Sequence, residues 1–402
     1  MSVPRLRFPG FGGEWGHLKL GELGPVSMCK RIMKEETNTI GDVPFYKIGT
    51  FGKEPDAFIS TELYAKFKKK YPYPKVGDIL ISAAGTIGRL VIFDGSPAYF
   101  QDSNIVWVAN GEEKVSNAFL FRCYENTRWT TENTTIARLY NDNLRSLKLV
   151  APTLPEQKKI AAFLGAVDAK IAALRARVLG LQTYKRGLMQ ALFSQTLRFT
   201  KPDGLAFPDW EEKRLGEIGE VFGGLSGKSA EDFGDGMPFI TYKQVFDSAE
   251  ILLVRCELVR VGKKEKQNRV LVGDVLFTTS SETPAEVGFA SVLLEDAGEL
   301  YLNSFCFGFR AKNSGQIMPR FSMYLFRAQG YRKAVFPLAQ GSTRYNLSKA
   351  EFLKIKILLP HPDEQAKIAE ALSAMDAKIA AAQLQVDRMQ DFKKGLLQQM
   401  FV

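Results

Sequence analysis

The sequence contains one long segment twice, and this internal repeat constrains the fold more than any other feature. The first copy runs from Glu156 to Phe193 and the second from Glu364 to Phe401, and about half of the aligned positions are identical without a gap. Two helices that merely share a composition do not match this closely, so we interpret the segments as two copies of one structural unit.

Weaker matches precede each copy in the same order. They pair residues 20–24 with 215–219, residues 44–45 with 238–239, and residues 76–80 with 272–276. Between these matches the two globular parts differ strongly. The chain is therefore predicted to run globular unit, long helix, globular unit, long helix, with one scaffold used twice and its variable surface changed.

Both repeated segments carry apolar residues at alternating spacings of four and three, which is the heptad pattern of a coiled-coil seam. Lys185 and Lys393 interrupt the seams at the same place, and Gly187 and Gly395 follow, which predicts a kink or a loosened turn. The predicted seam residues are Ile160, Leu164, Val167, Ile171, Leu174, Val178 and Leu181 in the first copy, and Ile368, Leu372, Met375, Ile379, Val386 and Met389 in the second.

Two such seams in one chain predict that the helices pair with each other as an antiparallel coiled coil. The alternatives are that each helix packs on its own globular unit, or that two chains dimerise through them. Short strands are predicted at 78–81 and 90–93, and again at 275–277 and 290–293. We thus predict an α+β fold with globular α/β-type domains at 1–152 and 199–360, and helical regions at 153–198 and 361–402.

The charge balance favours a polyanionic partner, most simply nucleic acid. Lys and Arg number 54 against 44 Asp and Glu, a formal net charge of +10. Such an excess attracts phosphates. No apolar run is long enough for a membrane span, and the first residues lack the apolar core of a signal peptide. The sequence therefore predicts a cytoplasmic protein that does not enter membranes.

Catalytic motifs are incomplete throughout the chain. Two histidines and four widely separated cysteines leave little material for a metal site or a Ser-His-Asp triad. Residues 223–229 resemble a phosphate-binding loop, but Phe222 stands where its first glycine would be. The tetrapeptide with which DNA adenine methyltransferases clamp a flipped base does not occur. We predict a non-catalytic chain. The alternatives are an enzyme with an unrecognised site and a coiled-coil dimer whose globular ends bind protein.

Loops in both globular units combine cations, hydroxyls, amides and aromatic rings, the groups that contact phosphates and base edges. For any one of these residues, a solvated surface position is the competing interpretation. The predicted DNA-binding residues are Lys47, Lys68, Lys69, Lys70, Thr86, Arg89, Arg128 and Arg138 in the first unit, and Lys228, Lys243, Thr279, Ser280, Ser281, Arg344, Tyr345 and Asn346 in the second.

The doubled arrangement resembles the specificity (S) subunit of type I restriction-modification enzymes. The resemblance covers essentially the whole chain. It is carried by the Glu-Gln helices, by Val-Gly-Asp-Ile-Leu and its counterpart Val-Gly-Asp-Val-Leu, and by Gly341 to Ser348, which leads through 355–360 into Glu364. The first half carries the looser segment 134–140 and the Gly85–Gly88 turn.

The resemblance implies a division of labour within a larger complex. Each globular unit would be a target recognition domain that reads one half of a bipartite, asymmetric site in double-stranded DNA. The paired helices would set the spacer and dock two methyltransferase (M) subunits, to which endonuclease-translocase (R) subunits would be added. S-adenosylmethionine, ATP and magnesium would be bound by those partners, and no cofactor by this chain.

Overall fold

The computed structural model describes residues 3–127, 129, 139, 141–313 and 315–401. The chain divides into two compact units. Unit 1 comprises residues 1–175 together with 384–402, and unit 2 comprises residues 176–383. The two long helices, Leu154–Phe193 and Pro362–Met400, each contribute one half to each unit.

Unit 1 contains a four-stranded antiparallel sheet of order β2-β8-β5-β6, a three-stranded sheet of order β4-β3-β7, and a β1-β9 pair. Its elements are β1 (Gly16–Lys19), β2 (Val26–Met28), β3 (Val43–Tyr46), β4 (Phe58–Ile59), α1 (Thr61–Lys70), β5 (Ile79–Ser82), β6 (Leu90–Ile92), β7 (Tyr99–Phe100), β8 (Ile105–Val108), α2 (Asn117–Asn126), α3 (Asn141–Ser146), β9 (Lys148–Ala151) and the start of α4 (Leu154–Phe193).

Unit 2 repeats this topology with sheets β11-β18-β14-β16 and β13-β12-β17 and a β10-β21 pair, and it adds a small sheet β15-β20-β19. Its elements are β10 (Glu211–Arg214), α5 (Leu215–Ile218), β11 (Gly219–Gly223), β12 (Phe233–Ile240), α6 (Tyr242–Asp247), β13 (Glu257–Val259), β14 (Val275–Thr278), β15 (Ser280–Ser281), β16 (Ala290–Val292), β17 (Tyr301–Leu302), β18 (Cys306–Ala311), α7 (Pro319–Leu325), α8 (Gln329–Val335), β19 (Ala339–Gln340), β20 (Tyr345–Leu347), α9 (Lys349–Lys354), β21 (Lys356–Leu359) and the start of α10 (Pro362–Met400).

The predicted strand pairs are present in both units. β5 pairs antiparallel with β6, with Ile79 opposite Ile92, and β14 pairs antiparallel with β16, with Val275 opposite Val292. The four-stranded sheets also have the same strand order when the elements are matched along the chain. The internal repeat predicted from the sequence is therefore confirmed at the level of the fold.

The two long helices run antiparallel, as the heptad pattern predicts. In unit 1 the start of α4 packs with the end of α10, because Ile160 and Leu164 share one buried cluster with Leu396 and Met400. In unit 2 the end of α4 packs with the start of α10, because Leu192 shares a cluster with Ile368 and Leu372. Burial of a leucine side chain contributes about 1.5–3 kcal/mol. Antiparallel pairing within the chain is therefore confirmed.

Most of the predicted seam is buried. Leu181, Ile379 and Met389 are half-buried, where the seam reaches its edge. The buried members are Ile160, Leu164, Val167, Ile171, Leu174, Val178, Ile368, Leu372, Met375 and Val386.

The two lysines in the seams are part of the helix pairing. In unit 2 the Lys185 ammonium lies 2.5 Å from the Asp376 carboxylate. In unit 1 Lys393 lies 2.7 Å from Asp168, which occupies the same position in the first repeat as Asp376 in the second. Both helices continue without a break through the glycines that follow. A lysine bonded to a carboxylate in the opposite helix can occupy the seam, so the interruption predicted from the sequence does not break either helix.

The Glu-Gln pair at the head of each repeated helix joins that helix to its globular unit. Gln157 accepts a hydrogen bond from the Ser116 amide at 2.9 Å, and Gln365 accepts one from the Met318 amide at 2.8 Å. Each glutamine also donates to the carbonyl five residues before it, Pro152 or Pro360. Because these side chains are buried, the bonds satisfy polar groups that water cannot reach.

The two glutamates bind arginines that precede the first strand of each globular unit. Glu156 accepts two hydrogen bonds from Arg7, at 2.7 and 2.8 Å. Glu364 accepts two from Arg198, at 3.1 and 2.8 Å. Both carboxylates are buried. The repeat therefore includes matched ion pairs with buried carboxylates, which explains why Glu and Gln are identical in both copies.

Candidate nucleic-acid interface

Two of the predicted contact segments in unit 2 form neighbouring strands. β15 pairs antiparallel with β20, so that Ser280 lies opposite Asn346 and Ser281 opposite Tyr345. The Thr279 carbonyl, just before β15, accepts a hydrogen bond from the Leu347 amide at 2.9 Å. The fold thus gathers residues 279–281 and 344–346 from distant parts of the sequence onto one small sheet.

The turn before β20 sets the position of Arg344. β19 pairs with β20, and the chain reverses between them through Gly341. This glycine has a φ of +138°, and a Cβ atom there would lie 2.0 Å from the Arg344 carbonyl oxygen. A residue with a side chain would have to displace that backbone, so the exposed Arg344 depends on the glycine.

The two remaining candidates of unit 2 lie elsewhere and differ from each other. Lys243 is exposed in the first turn of α6. Lys228 is in an internal ion pair, because its ammonium lies 2.5 Å from the Glu265 carboxylate and its side chain is only 6% exposed. In the glycine-rich segment before it, a Cβ at Gly224 would lie 2.1 Å from the Asn303 carbonyl oxygen. The resemblance to a phosphate-binding loop thus reflects close backbone packing.

In unit 1 the turn between β5 and β6 carries Thr86 and Arg89. Thr86 is exposed, and its carbonyl accepts a hydrogen bond from Ser82 at 2.5 Å. The Arg89 guanidinium is half-buried and donates to the Phe51 carbonyl at 2.7 Å. Lys47 lies 2.9 Å from Asp56. Thr86 is therefore open to a ligand, whereas Arg89 and Lys47 also have bonds within the unit.

The lysine run at the end of α1 lies beside aromatic rings. Lys68 donates to the Tyr64 hydroxyl at 3.0 Å, and its ammonium is 5.0 Å from the centre of the Tyr73 ring. Lys70 is 5.5 Å from the centre of the Tyr71 ring. Lys68, Lys69 and Lys70 are all exposed. Cations are favoured at the carboxyl end of a helix, so this cluster forms a stable positive patch with aromatic neighbours.

Arg128 and Arg138 lie outside the described residues, but the backbone next to Arg138 can be compared between the units. The Leu139 amide donates to the Ala83 carbonyl at 2.8 Å, as the Leu347 amide does to Thr279 at 2.9 Å. Ala83 in turn donates to the Asn104 carbonyl, as Thr279 does to Phe305. The two units therefore share a hydrogen-bonded frame whose side chains differ.

Several residues that surround Arg344 were not predicted from the sequence. Tyr242, Glu282 and Phe305 line a cavity of about 330 Å³ together with this arginine. Burial raises the pKa of the Tyr242 phenol. Its hydroxyl donates to the Ser280 carbonyl at 2.6 Å. A comparison of the two repeats could have identified Phe305, because this aromatic residue stands at the position that Asn104 occupies in unit 1.

Within the described ranges, no group of three or more histidine, cysteine, aspartate or glutamate side chains is placed to hold a metal ion. No described helix is sufficiently long and apolar to cross a membrane.

Comparison with known proteins identifies the family. The family model described as "Type I restriction modification DNA specificity domain" matches residues 12–179 and 208–386. A putative type I restriction enzyme specificity subunit of Haemophilus influenzae is 59% identical over 148 residues, which is 37% of this chain and 38% of that protein. The putative MjaX specificity subunit of Methanocaldococcus jannaschii is 24% identical over 347 residues, which is 80% of this chain and 77% of that protein.

Solved structures share the fold over nearly the whole length. One is the S subunit of a type I restriction-modification system from M. genitalium. The alignment with it includes 100% of this chain and 99% of that chain, with a TM-score of 0.56 and 14% sequence identity. Another comes from a study of complex assembly and conformational transition in the type I restriction-modification system. The alignment with it includes 98% of this chain and 98% of that chain, with a TM-score of 0.60 and 18% sequence identity. With the family model matching both repeats, the chain belongs to the type I restriction-modification DNA specificity family.

Proposed function

We propose that this chain is a non-catalytic, sequence-specific DNA-binding subunit of a type I restriction-modification complex. Residues 1–152 and 199–360 are its recognition domains, and each reads one half of a bipartite, asymmetric site in double-stranded DNA. The helical regions 153–198 and 361–402 set the distance between the half-sites. We infer that the protein acts in the cytoplasm, where the DNA that it reads is found.

One observation carries this proposal, namely that the two units share a backbone frame and differ in the side chains on it. The amide-to-carbonyl bonds from Leu139 and Leu347 match, as do those to Asn104 and Phe305. Sequence is read by side chains at base edges, whereas the backbone frame only positions them. Two like frames with unlike side chains are what an asymmetric bipartite site requires.

The helices present an aromatic residue at the same place in each repeat. Tyr184 on α4 and Phe392 on α10 each precede a seam lysine, and they are 62% and 51% exposed. Large exposed aromatic side chains are enriched as anchors of protein interfaces. Two equivalent anchors fit two copies of one partner, and we assign them to the two methyltransferase subunits. Endonuclease-translocase subunits complete the complex, and the partner subunits supply S-adenosylmethionine, ATP and magnesium.

Binding measurements with purified subunits test the proposal. The chain alone is expected to bind DNA weakly, with an affinity that falls steeply as salt rises. Addition of methyltransferase subunits should make binding selective for DNA that carries the recognition site. Binding that is insensitive to salt, or that gains no selectivity from the partner, would contradict the proposal.

The number of bound methyltransferase subunits tests the docking surface separately. Tyr184→Ser and Phe392→Ser should each reduce the complex from two methyltransferase subunits to one, and the double variant should bind none under the same conditions. Leu205→Ser is the matched control, because Leu205 is 63% exposed but lies between the end of α4 and the start of β10, outside both long helices. Two subunits on the double variant would place docking elsewhere.

A further inference from the structure

The cavity beside the β15–β20 pair is a candidate site for one particular kind of ligand. Its volume of about 330 Å³ lies at the lower end of the range for pockets that enclose a small organic molecule. Aromatic rings form its apolar side, and serine, glutamate and arginine side chains form the rest. The lining residues are Tyr242, Phe246, Ser280, Ser281, Glu282, Glu286, Phe305 and Arg344.

Hydrogen bonds hold the near walls of the cavity in place. The Tyr242 hydroxyl donates to the Ser280 carbonyl at 2.6 Å, which joins α6 to β15. The Ser281 hydroxyl donates to the Glu286 carboxylate at 2.9 Å. The Tyr242 and Phe246 rings are nearly parallel, with an interplanar angle of 17° and centroids 6.1 Å apart. Walls fixed in this way lose little entropy when a ligand binds.

Two arginines support the same walls from behind. Arg327 donates to the carbonyls at the end of α6, including that of Ser248 at 2.6 Å. Arg332 donates to the carbonyls of Ala285 and Gly288 at 2.7 and 3.0 Å, in the loop that carries Glu286. Both guanidinium groups lie over the Phe289 ring, at 5.5 and 4.7 Å. Burial lowers the pKa of both arginines, but a guanidinium remains charged at neutral pH.

Two charged side chains at the cavity are available to a ligand. Arg344 and Glu282 are exposed, and neither forms an ion pair with any described residue within 4 Å. Phe305, at the rim, is 56% exposed. An arginine donates a planar fork of N–H groups, a carboxylate accepts from an amino group, and aromatic rings stack on planar rings. A nucleobase offers a planar ring with donors and acceptors along one edge.

From this set of groups we propose that the cavity binds a single nucleobase that has left the base stack in the second half-site. Phe305 and Tyr242 contact the faces of the base, and Arg344 and Glu282 read its edge. In unit 1 the two corresponding positions hold Ile48 and Asn104, which cannot supply the aromatic walls that Tyr242 and Phe305 form. The proposal rests on the DNA-binding function above, and it limits binding of an extruded base to the second half-site.

A scan with abasic sites tests the proposal in the complex with methyltransferase subunits. Each duplex carries an abasic site opposite one base of the second half-site. That base then has no pairing partner, and its extrusion no longer requires a base pair to be broken. Unpairing and unstacking a base is costly, and removal of its partner should tighten binding by about tenfold or more at the extruded position. The adenine that is methylated should also respond, but it should do so independently of Phe305.

Variants of two exposed phenylalanines distinguish the cavity from the rest of the unit. Phe305→Ala should weaken binding to the intact site by about 5- to 150-fold, the range for loss of one base–aromatic stack. It should also abolish the response at the extruded position. Phe336→Ala is the control, because Phe336 is 54% exposed in unit 2 but does not line the cavity.

The outcomes separate failure of this proposal from failure of the DNA-binding function. If the complex binds its site selectively but only the methylated adenine responds to the scan, the nucleobase cavity is refuted and the DNA-binding function stands. If no selective binding occurs, the function itself is refuted. A base could also come from a free nucleotide and not from DNA. Titration of the free chain with each deoxynucleoside monophosphate tests this alternative. Micromolar binding of a free nucleotide that Phe305→Ala abolishes, with no Phe305-dependent response in DNA, would make the cavity a nucleotide site and overturn the proposal.

Discussion

Glu364→Gln should destabilise unit 2 substantially, because the substitution removes a buried charge that three donors contact. The carboxylate accepts hydrogen bonds from Arg198 at 3.1 and 2.8 Å and from the Trp210 indole N–H at 3.2 Å, and its side chain is 0% exposed. The glutamine side chain has the same shape as the Glu364 carboxylate. Its NH₂ group, however, replaces one acceptor oxygen, so one of the N–H donors of Arg198 or Trp210 would face another donor. Breaking a buried ion pair costs about 3–5 kcal/mol, and we expect the lower end of that range because the Arg198 side chain is 23% exposed. That corresponds to a decrease of roughly 150-fold or more in the folding equilibrium.

Trp210 allows this loss to be measured in unit 2 separately. The other three tryptophans, Trp15, Trp107 and Trp129, all fall within unit 1. Labelling with 5-fluorotryptophan gives four fluorine resonances, and the Trp210 resonance reports unfolding of unit 2 in urea. Glu370→Gln is the control, since Glu370 is exposed on the same helix. If Glu364→Gln shifted the Trp210 transition by under about 1 kcal/mol, like an exposed ion pair, the buried pair described above would be refuted.

Three further perturbations follow from the structure. Gly341→Ala should displace Arg344 and weaken DNA binding, whereas Gly330→Ala in α8, where a Cβ meets nothing within 4 Å, should leave binding unchanged; equal effects would contradict the turn described here. Burial disfavours the Asp168 carboxylate, but bonds from Lys393 and Arg122 outweigh it and hold its pKa below the ordinary value. Asp168→Asn should therefore lower the free energy of unfolding in urea at neutral pH. The difference from the parent should shrink as the pH falls below about 4, through that depressed pKa. Asp391→Asn, on the exposed surface of α10, is the control and should leave the free energy of unfolding at neutral pH unchanged. Leu164→Asp with Ile171→Asp should break the seam and prevent complex assembly on gel filtration, and unchanged assembly would show that the seam is dispensable.

The helical framework could be predicted because its signals are local. Heptad spacing is visible within a few turns, and the seam residues Leu164 and Leu372 are fully buried as that spacing predicts. The lysines were harder to interpret, because their partners lie on the other helix. Asp376 is almost two hundred positions from Lys185, and no periodicity within one helix indicates that pairing.

The candidate binding surface was only partly predictable, because residues that are distant in the sequence form it together. Residue type led to Thr279–Ser281 and Arg344–Asn346, and the β15–β20 pairing brings them together. Residue type also led to Lys228, which the fold pairs with Glu265 from a distant loop. Phe305 was missed because an isolated phenylalanine in a sequence is more often a core residue than a surface residue. The exposure of its ring depends on tertiary packing, which the local sequence does not show.

Mapping of methylated adenines tests directly whether each globular unit reads one half-site. The chain would be produced with its methyltransferase subunit in a host that lacks other adenine methylation, and residues 1–152 would then be exchanged for those of another specificity subunit. We expect a split, asymmetric motif in which one half changes on exchange while the other half and the spacer length are retained. A motif that is unaffected by the exchange, or one in which both halves change together, would contradict the assignment of one half-site to each globular unit.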